Sequence, residues 1–172
     1  MKTINRLVVL FSFSLFVISC KKTDVVDSKT GGSGTETGTT YNVNKAVMLQ
    51  LVNNVRQAGC NCGATVMPPV SPVVWNDLLA LAADNHSKDM LANNYFNHTG
   101  LNGSTPGDRI RAVGYNWRAY GENIAYNYPT EQAVMNGWLN SEGHCMNIMN
   151  GTFNEMGVAR EGNYWTQEFG RR

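Results

Sequence analysis

The chain lacks a surplus of charge of either sign. Its 172 residues carry 14 Lys and Arg against 13 Asp and Glu, and no basic stripe interrupts this balance. Proteins that bind nucleic acids need clustered basic residues to neutralise phosphates, so the composition excludes that class of partner. Long apolar runs are also missing: the longest, residues 7–18, has twelve residues, whereas a helix that crosses a bilayer needs about 20.

Familiar catalytic signatures are missing as well. The chain has no phosphate-binding glycine loop, and the segment His86–Met90 lacks the Glu and the second His of a zinc-protease helix. The Gly32-Ser33-Gly34 triplet lies in a polar stretch, not between a strand and a helix, where a nucleophile elbow stands. Only three histidines and a few carboxylates remain as candidates for chemistry.

The first twenty residues have the features of an export signal. Two basic residues precede the apolar run at 7–18, which has the length of a signal-peptide core. The segment Val17-Ile18-Ser19-Cys20 resembles a bacterial lipobox, in which the cysteine is acylated and becomes the new N-terminus. We therefore expect a signal peptide at 1–19 and a lipid (palmitate) on Cys20 that attaches the chain to a membrane. An ordinary signal peptide that ends near a cysteine is the alternative.

Residues 20–43 differ in composition from the rest of the chain. After Cys20 they are rich in Gly, Ser, Thr and Lys and poor in apolar side chains, so they cannot bury enough surface to offset their ordering entropy. Such a segment behaves as a flexible tether. The remaining residues, 44–172, have the length of one domain.

Hydrophobic periodicity and capping residues predict helices in the earlier part of this domain and strands mainly at its end. The predicted helices cover about 44–57, 76–93, 105–114 and 130–142, and the predicted strands cover 119–126, 155–160 and 163–169. The proline-rich segment 60–72 is expected to be an extended loop. Without a regular βαβ alternation, this order predicts an α+β fold with an antiparallel sheet. His86 falls on the buried stripe of the second helix, which favours a hydrogen-bonded core histidine over a ligand.

Besides Cys20, the chain has three cysteines, Cys60, Cys62 and Cys145. An exported protein can form disulfides. Cys60 and Cys62 are too close in sequence to pair comfortably, so we expect Cys145 to bridge to one of them, closing a loop of about 80 residues that stabilises by a few kcal/mol. A zinc site is the alternative, although C-x-C lacks the usual gap of two to four residues between ligands.

The other candidate cluster consists of His98, Glu122 and His144. If folding brings them together, two imidazoles and a carboxylate could hold a divalent cation such as zinc with an open coordination position. They could equally form a charged hydrogen-bond cluster or a general acid and base pair. Spacing along the chain does not choose among these arrangements.

A series of short motifs runs through the domain in a fixed order. They are Leu81–Met90, Tyr95-Phe96-Asn97-His98, Arg109 with Gly114-Tyr115, Gly121–Ala125, Trp138–Ser141 with Gly143-His144, Asn147-Ile148, Met156-Gly157-Val158, Tyr164–Gln167 and Phe169-Gly170. In this order and spacing, residues 76–170 resemble the CAP superfamily of cysteine-rich secretory, antigen 5 and pathogenesis-related proteins, above all its bacterial SCP-like extracellular branch. The resemblance implies a three-layer α-β-α sandwich with a small antiparallel sheet.

The resemblance also implies a central cavity lined by two His and two Glu. His98, Glu122 and His144 match three of these positions. The fourth position is Ser141 in this chain, and Glu142 stands one residue further on. We expect Glu142 to reach the cleft only if the preceding helix ends early; otherwise the site is a triad.

The resemblance further implies the disulfide partner. Relatives have a lone Cys-Gly at the position of Cys62-Gly63, which favours a bridge between Cys62 and Cys145, with Cys60 as the alternative partner. This bridge would clamp the loop that carries His144.

Relatives have been assigned lipid or sterol binding, protease-like activity and partner binding, so the resemblance implies three functional hypotheses. The favoured one is a binding module for a peptide, lipid or envelope ligand, because no nucleophile is evident. We expect it to require no cofactor. The second is a hydrolase, with Glu122 as base or with a cation at His98 and His144 that activates water. The third is a structural surface protein with a vestigial cleft.

The expected location is the bacterial cell envelope. The residues after Cys20 are Lys21-Lys22 and lack the Asp that is associated with retention in the inner membrane of enterobacteria. We therefore expect an outer-membrane anchor and a domain that faces the periplasm or the cell surface.

Overall fold

The computed structural model describes residues 41–172. The predicted signal peptide, the lipidated Cys20 and most of the predicted tether at 20–43 lie outside these residues. The last three residues of that tether pack on the domain: the Tyr41 carbonyl accepts a hydrogen bond from the Arg160 amide at 2.9 Å, and Val43 is buried. The folded part therefore begins no later than Tyr41.

Five helices form in this part of the chain, and side-chain caps begin four of them. They are α1 (Lys45–Ala58), α2 (Asp77–Asn93), α3 (Pro106–Ala112), α4 (Glu131–Leu139) and α5 (Glu142–Ile148). Asn44, Asn76, Thr105 and Thr130 each accept a backbone N–H of the following turn, as the sequence predicts. The expected fourth helix is in fact two helices, because the chain turns at Ser141, whose backbone is extended.

Six strands complete the fold of residues 41–172. They are β1 (Cys60–Cys62), β2 (Thr65–Met67), β3 (Val74–Trp75), β4 (Ala119–Tyr126), β5 (Glu155–Glu161) and β6 (Tyr164–Arg171). The central sheet has the order β3-β5-β6-β4, antiparallel except for the pair β3 and β5. The expectation of a plain loop at 60–72 is wrong, since β1 and β2 form a hairpin there.

The sheet lies between two helical layers, which confirms the α+β, α-β-α sandwich. On one face α2 packs closely on β5 because Gly157 leaves room: a Cβ there would lie 2.1 Å from the Ala80 nitrogen. The other layer contains α1, α4 and α5, whose apolar residues share one buried cluster with Trp165 and Phe169 of β6.

Arg56 of α1 is fully buried within this second layer. Its guanidinium donates hydrogen bonds of 2.7–3.0 Å to four backbone carbonyls, those of Ser71, Ile148, Asn150 and Phe153. Burial lowers the pKa of Arg56. This side chain joins α1 to the end of α5 and to two loops. The helical pattern of the sequence does not predict that an arginine has this role.

The expected disulfide between Cys62 and Cys145 is present, with a Cα–Cα distance of 5.4 Å. Cys60 is buried and unbridged. Within residues 41–172, no helix has the length and apolar character needed to cross a membrane.

Candidate functional site

Glu122 forms the centre of a buried charged cluster. It lies in the middle of β4, and its side chain is 2% exposed. One carboxylate oxygen contacts Nδ1 of His98 at 2.6 Å, and the other accepts a hydrogen bond from Nη2 of Arg109 at 2.6 Å. The sheet thus supplies the carboxylate, the segment after α2 supplies the imidazole, and α3 supplies the guanidinium.

The segment that carries His98 is held from two sides. The ring Nε2 of His86 lies 3.0 Å from the carbonyl of Asn97, and Arg109 also donates to the carbonyl of His98 at 2.9 Å. Burial lowers the pKa of His86, so this histidine is neutral at pH 7 and donates its Nε2–H to Asn97. The prediction of a core histidine with a hydrogen-bond partner is confirmed.

Glu168 of β6 faces Glu122 directly, because the two residues are register partners in the antiparallel pair. It is fully buried, and no N–H donor of the described residues reaches its carboxyl oxygens. Burial, together with the negative charge of Glu122, raises the pKa of Glu168 well above its ordinary value. Glu168 is therefore a neutral acid whose own proton hydrogen-bonds to Glu122. Sequence reasoning missed this residue, because only the strand register shows that the two carboxyls meet.

The pKa of Glu122 shifts in the opposite direction. Burial alone would raise it, but the hydrogen bonds to His98 and Glu168 and the charge of Arg109 outweigh burial and hold the pKa below its ordinary value. A carboxylate that three neighbours stabilise in its charged form is a weak general base, since base catalysis is most effective with a pKa near the working pH.

His144 lies in the first turn of α5 and lines an open pocket of about 310 Å³. The pocket walls are mainly aromatic and apolar: Phe96, Ile124, Ala125, Tyr126, Tyr128, Gly137, Trp138 and Ser141. Burial, and the charge of His98, lower the pKa of His144. The lowered pKa leaves His144 neutral at pH 7 and able to hydrogen-bond a ligand.

Asparagines connect the two parts of the site through β4. Asn123 donates to the carbonyl of His144 at 3.2 Å, and Asn147 of α5 donates to the carbonyl of Glu122 at 3.1 Å. The position of His144 relative to Glu122 is therefore fixed by side-chain bonds between α5 and the strand. Each asparagine belongs to a different motif of the series, Gly121–Ala125 and Asn147-Ile148, but nothing in the sequence assigned them this contact.

Glu142 lies outside the cluster. Although α4 ends early, at Leu139, the chain turns and directs the Glu142 side chain towards the β1–β2 hairpin, where it accepts a hydrogen bond from Thr65 at 3.4 Å. Ser141, at the fourth position that the resemblance implies, does line the pocket. The acidic neighbour of Glu122 is thus Glu168, not Glu142.

The same geometry bears on a metal ion. In the described part of the chain, the only group of three potential ligands whose ligand atoms all lie within 4.8 Å of one another is Cys60, Cys62 and Cys145. Because Arg109 and His98 occupy the Glu122 carboxylate, a cation at the cleft would depend on the imidazoles of His98 and His144. A zinc site there remains a prediction.

Replacing Glu168 by Gln should raise stability at alkaline pH. The pKa of Glu168 is higher in the folded protein than in the unfolded chain, where it is about 4.3. The stability that Glu168 contributes is therefore fully present below about pH 4.3 and is lost as the pH rises through the folded-state pKa. Gln keeps a donor for Glu122 and has no proton to lose. We expect urea unfolding to show a gain of about 1 kcal/mol or more at pH 8 and less at pH 5.

The matched control for this change is Glu142→Gln, at an exposed carboxyl. It should leave the pH dependence of the unfolding free energy as in the wild type. Equal pH dependence in Glu168→Gln and wild type would show that Glu168 is already ionised in the folded protein.

Comparisons with known proteins agree with this architecture. The profile of the family described as CAP, the cysteine-rich secretory protein family, matches residues 49–169. Two Bacillus subtilis proteins are similar: the membrane protein YlbC, 40% identical over 98 residues, and YkwD, 36% identical over 102 residues. These matches span 57% and 58% of this chain but only 28% and 40% of those proteins.

Solved structures show the same fold. An extracellular protein of Bacillus anthracis that contains an SCP domain is 34% identical, with a TM-score of 0.67 over 74% of this chain and 40% of that one. An outer surface protein of Borrelia burgdorferi has a TM-score of 0.64 at 21% identity, over 74% of this chain and 91% of that one. The second similarity concerns the fold alone.

Proposed function

The chain belongs to the cysteine-rich secretory protein (CAP) family, and from that premise we propose that it is an exported, lipid-anchored binding module. Its ligand is a peptide, a lipid or another component of the cell envelope. The aromatic pocket beside His144 receives the apolar part of this ligand, and His144 and His98 hydrogen-bond its polar end.

The state of Glu122 is the observation that favours binding over hydrolysis. Its carboxylate is buried, paired with Arg109 and bonded to His98, and these partners hold its pKa below the ordinary value, which makes it a weak base towards water. In addition, no described Ser, Thr or Cys side chain hydrogen-bonds to His98 or His144. A nucleophile with an adjacent base, the usual sign of covalent catalysis, is thus lacking among the described residues.

The size and lining of the pocket favour an amphipathic ligand of modest size. A volume of about 310 Å³ is at the lower end of the range for small-molecule sites, roughly 300–1,000 Å³. It accommodates one large apolar side chain or a short acyl segment. The polar groups of Ser141 and His144 lie at the same pocket and supply the few oriented contacts that give such sites their specificity.

The proposed location rests on the N-terminal segment. The lipobox-like sequence ends at Cys20, and the folded part begins by Tyr41. About 20 intervening residues of Gly, Ser and Thr character extend roughly 25 Å on average. The domain would then sample the surface of its membrane, which in a diderm bacterium we take to be the outer membrane.

Three soluble probes, one for each ligand class, test the pocket: decanoate, N-acetyl-phenylalanine amide and an N-acetylglucosamine oligomer. We expect one of them to produce saturable amide shifts at residues 124–128 and 137–144 in a ¹H–¹⁵N NMR titration. His144→Ala should weaken that binding about tenfold, the effect of one lost hydrogen bond of about 1.4 kcal/mol.

Gly143→Ala is the matched control, because a Cβ at this helical position meets no atom within 4 Å. It should bind like the wild type. If no probe shifts these residues and purified protein contains zinc with a peptidase activity that His98→Ala abolishes, the hydrolase hypothesis replaces ours.

The anchor is tested separately: Cys20→Ser should abolish labelling with radioactive palmitate and release the chain from the membrane fraction.

A further inference from the structure

Three sulfur atoms meet where β1 lies against α5. Cys60 and Cys62 are two residues apart on a strand, so their side chains point to the same face. Cys62 is bonded to Cys145, and the Sγ atom of Cys60 lies 3.7 Å from that of Cys145. All three residues belong to the buried apolar cluster of the second layer.

A distance of 3.7 Å is van der Waals contact between two sulfur atoms. Cys60 is therefore a free thiol in direct contact with a disulfide sulfur, the arrangement from which thiol–disulfide exchange begins. We infer that these cysteines form an internal exchange site in which Cys60 and Cys62 alternate as the partner of Cys145. The resemblance to the family implied a single bridge and assigned no role to the third sulfur.

The exchange step is balanced without an outside oxidant or reductant. Cys60 loses its proton, and its thiolate attacks the Sγ atom of Cys145. The Cys60–Cys145 bond forms as the Cys62–Cys145 bond breaks, and Cys62 leaves as a thiolate that takes up a proton. The product has one disulfide and one thiol, like the reactant.

The resting geometry makes this step slow. All three Sγ atoms lie within 4.8 Å of one another, so Cys60 does not approach in line with the bond that breaks, and its side chain must first rotate. The hairpin allows such a movement, because β1 pairs only with the three-residue β2, whose Thr65 and Val66 are exposed. Burial of the three sulfurs meanwhile shields them from outside thiols, which keeps the exchange internal.

The exchange would also act on the pocket. Cys145 directly follows His144 in α5, and the two alternative partners are about 6–7 Å apart along β1. Moving the bridge from Cys62 to Cys60 shifts the point to which this helix is tied. His144 would then occupy a different position relative to the pocket walls in each form.

Wild-type protein is sufficient for the main test. The oxidised full chain is incubated at pH 8.5 for a day, quenched in acid, denatured and alkylated with N-ethylmaleimide, and fragmentation mass spectrometry locates the label. We expect most label on Cys60 and about 0.1–10% on Cys62, the usual population of a minor state. A sample kept at pH 4 should approach this ratio more slowly, because the thiolate is the reactive species. Less than about 0.1% on Cys62 at pH 8.5 would overturn the inference.

Two variants test whether both bridges fit the fold. Cys60→Ser keeps the Cys62–Cys145 bridge and is the reference. Cys62→Ser should form the Cys60–Cys145 bridge and leave neither of these two thiols free to alkylate. The His144 ring resonances should differ between the two variants. If Cys62→Ser instead has two alkylatable thiols while Cys60→Ser is fully bridged, the alternative bridge does not form and the exchange site is refuted.

Discussion

Arg56→Met is expected to lower the free energy of unfolding by about 4 kcal/mol or more. The substitution keeps much of the apolar volume but removes the guanidinium that donates to four backbone carbonyls. Only the Asn150 carbonyl keeps another donor in the described residues, the amide of Phe153. Each buried polar group that loses its partner costs about 1–3 kcal/mol. Because a domain has only about 5–15 kcal/mol of total stability, urea or thermal unfolding should show a protein close to the limit of folding.

Arg118→Met is the matched control for this experiment. Arg118 is exposed, and only its backbone nitrogen is hydrogen-bonded, to the carbonyl of Arg171. We expect a change within about 0.5 kcal/mol there. Arg56→Lys should fall between the two, because one ammonium cannot reproduce the fork of a guanidinium. A loss below about 1 kcal/mol in Arg56→Met would mean that water satisfies the four carbonyls.

The second large effect is expected at Arg109. Arg109→Met leaves the buried Glu122 carboxylate without its cationic partner and removes the donor to the carbonyls of Ser104 and His98. Breaking one side of a buried ion pair costs about 3–5 kcal/mol, since an uncompensated charge remains. The expected result at pH 7 is a loss of this size in urea unfolding, with Arg118→Met again unchanged.

The pH dependence identifies the cause of that loss. The folded-state pKa of Glu122 lies below its ordinary value. The stability that Glu122 contributes is therefore present above the pKa of the unfolded chain, about 4.3, and is lost as the pH falls through the folded-state pKa. Without Arg109 that pKa rises, and Glu122 can take up a proton. The penalty of Arg109→Met should therefore be smaller at pH 4.5 than at pH 7. An equal penalty at both pH values would indicate that Arg109 acts through its backbone contacts alone.

A combined variant refines the same point. Adding Glu122→Gln to Arg109→Met removes the buried charge, so it should restore part of the stability. It should also reduce the difference between the two pH values. Further destabilisation by the second change would show that Glu122 stabilises the fold independently of its ion pair.

The two arginines illustrate what the chain alone does not reveal. Arg56 lies in a regular helical pattern and Arg109 stands in a motif, yet both act through contacts outside their own helices. The partners of Arg56 lie up to 97 positions away, and the ion-pair partner of Arg109 lies on a strand 13 positions further on. A sequence pattern records which side chains share a face of one helix. It does not record which carbonyls another segment will present to that face.

Local signals predicted the helices well for a physical reason. A cap such as Asn76 or Thr105 bonds to amides two or three residues away. Both partners of the bond are therefore visible in a short stretch of sequence. The break between α4 and α5 was missed because Ser141 makes no side-chain cap bond. Likewise the parallel strand β3 has two residues, and it exists only because β5 provides its partner.

The candidate site divides in the same way. From the sequence by itself, the motif series and the helix and strand patterns determined the fold. The residue types of His98, Glu122 and His144, with the resemblance to a known family, proposed the candidate site, and the first twenty residues predicted an envelope location. Only the tertiary structure decided that Glu168, not Glu142, accompanies Glu122, that Arg109 holds this carboxylate in its charged form, and that a third sulfur contacts the disulfide. The reason is that strand register and helix packing join positions far apart in the chain, and a pKa or a sulfur–sulfur contact depends on those neighbours rather than on sequence order.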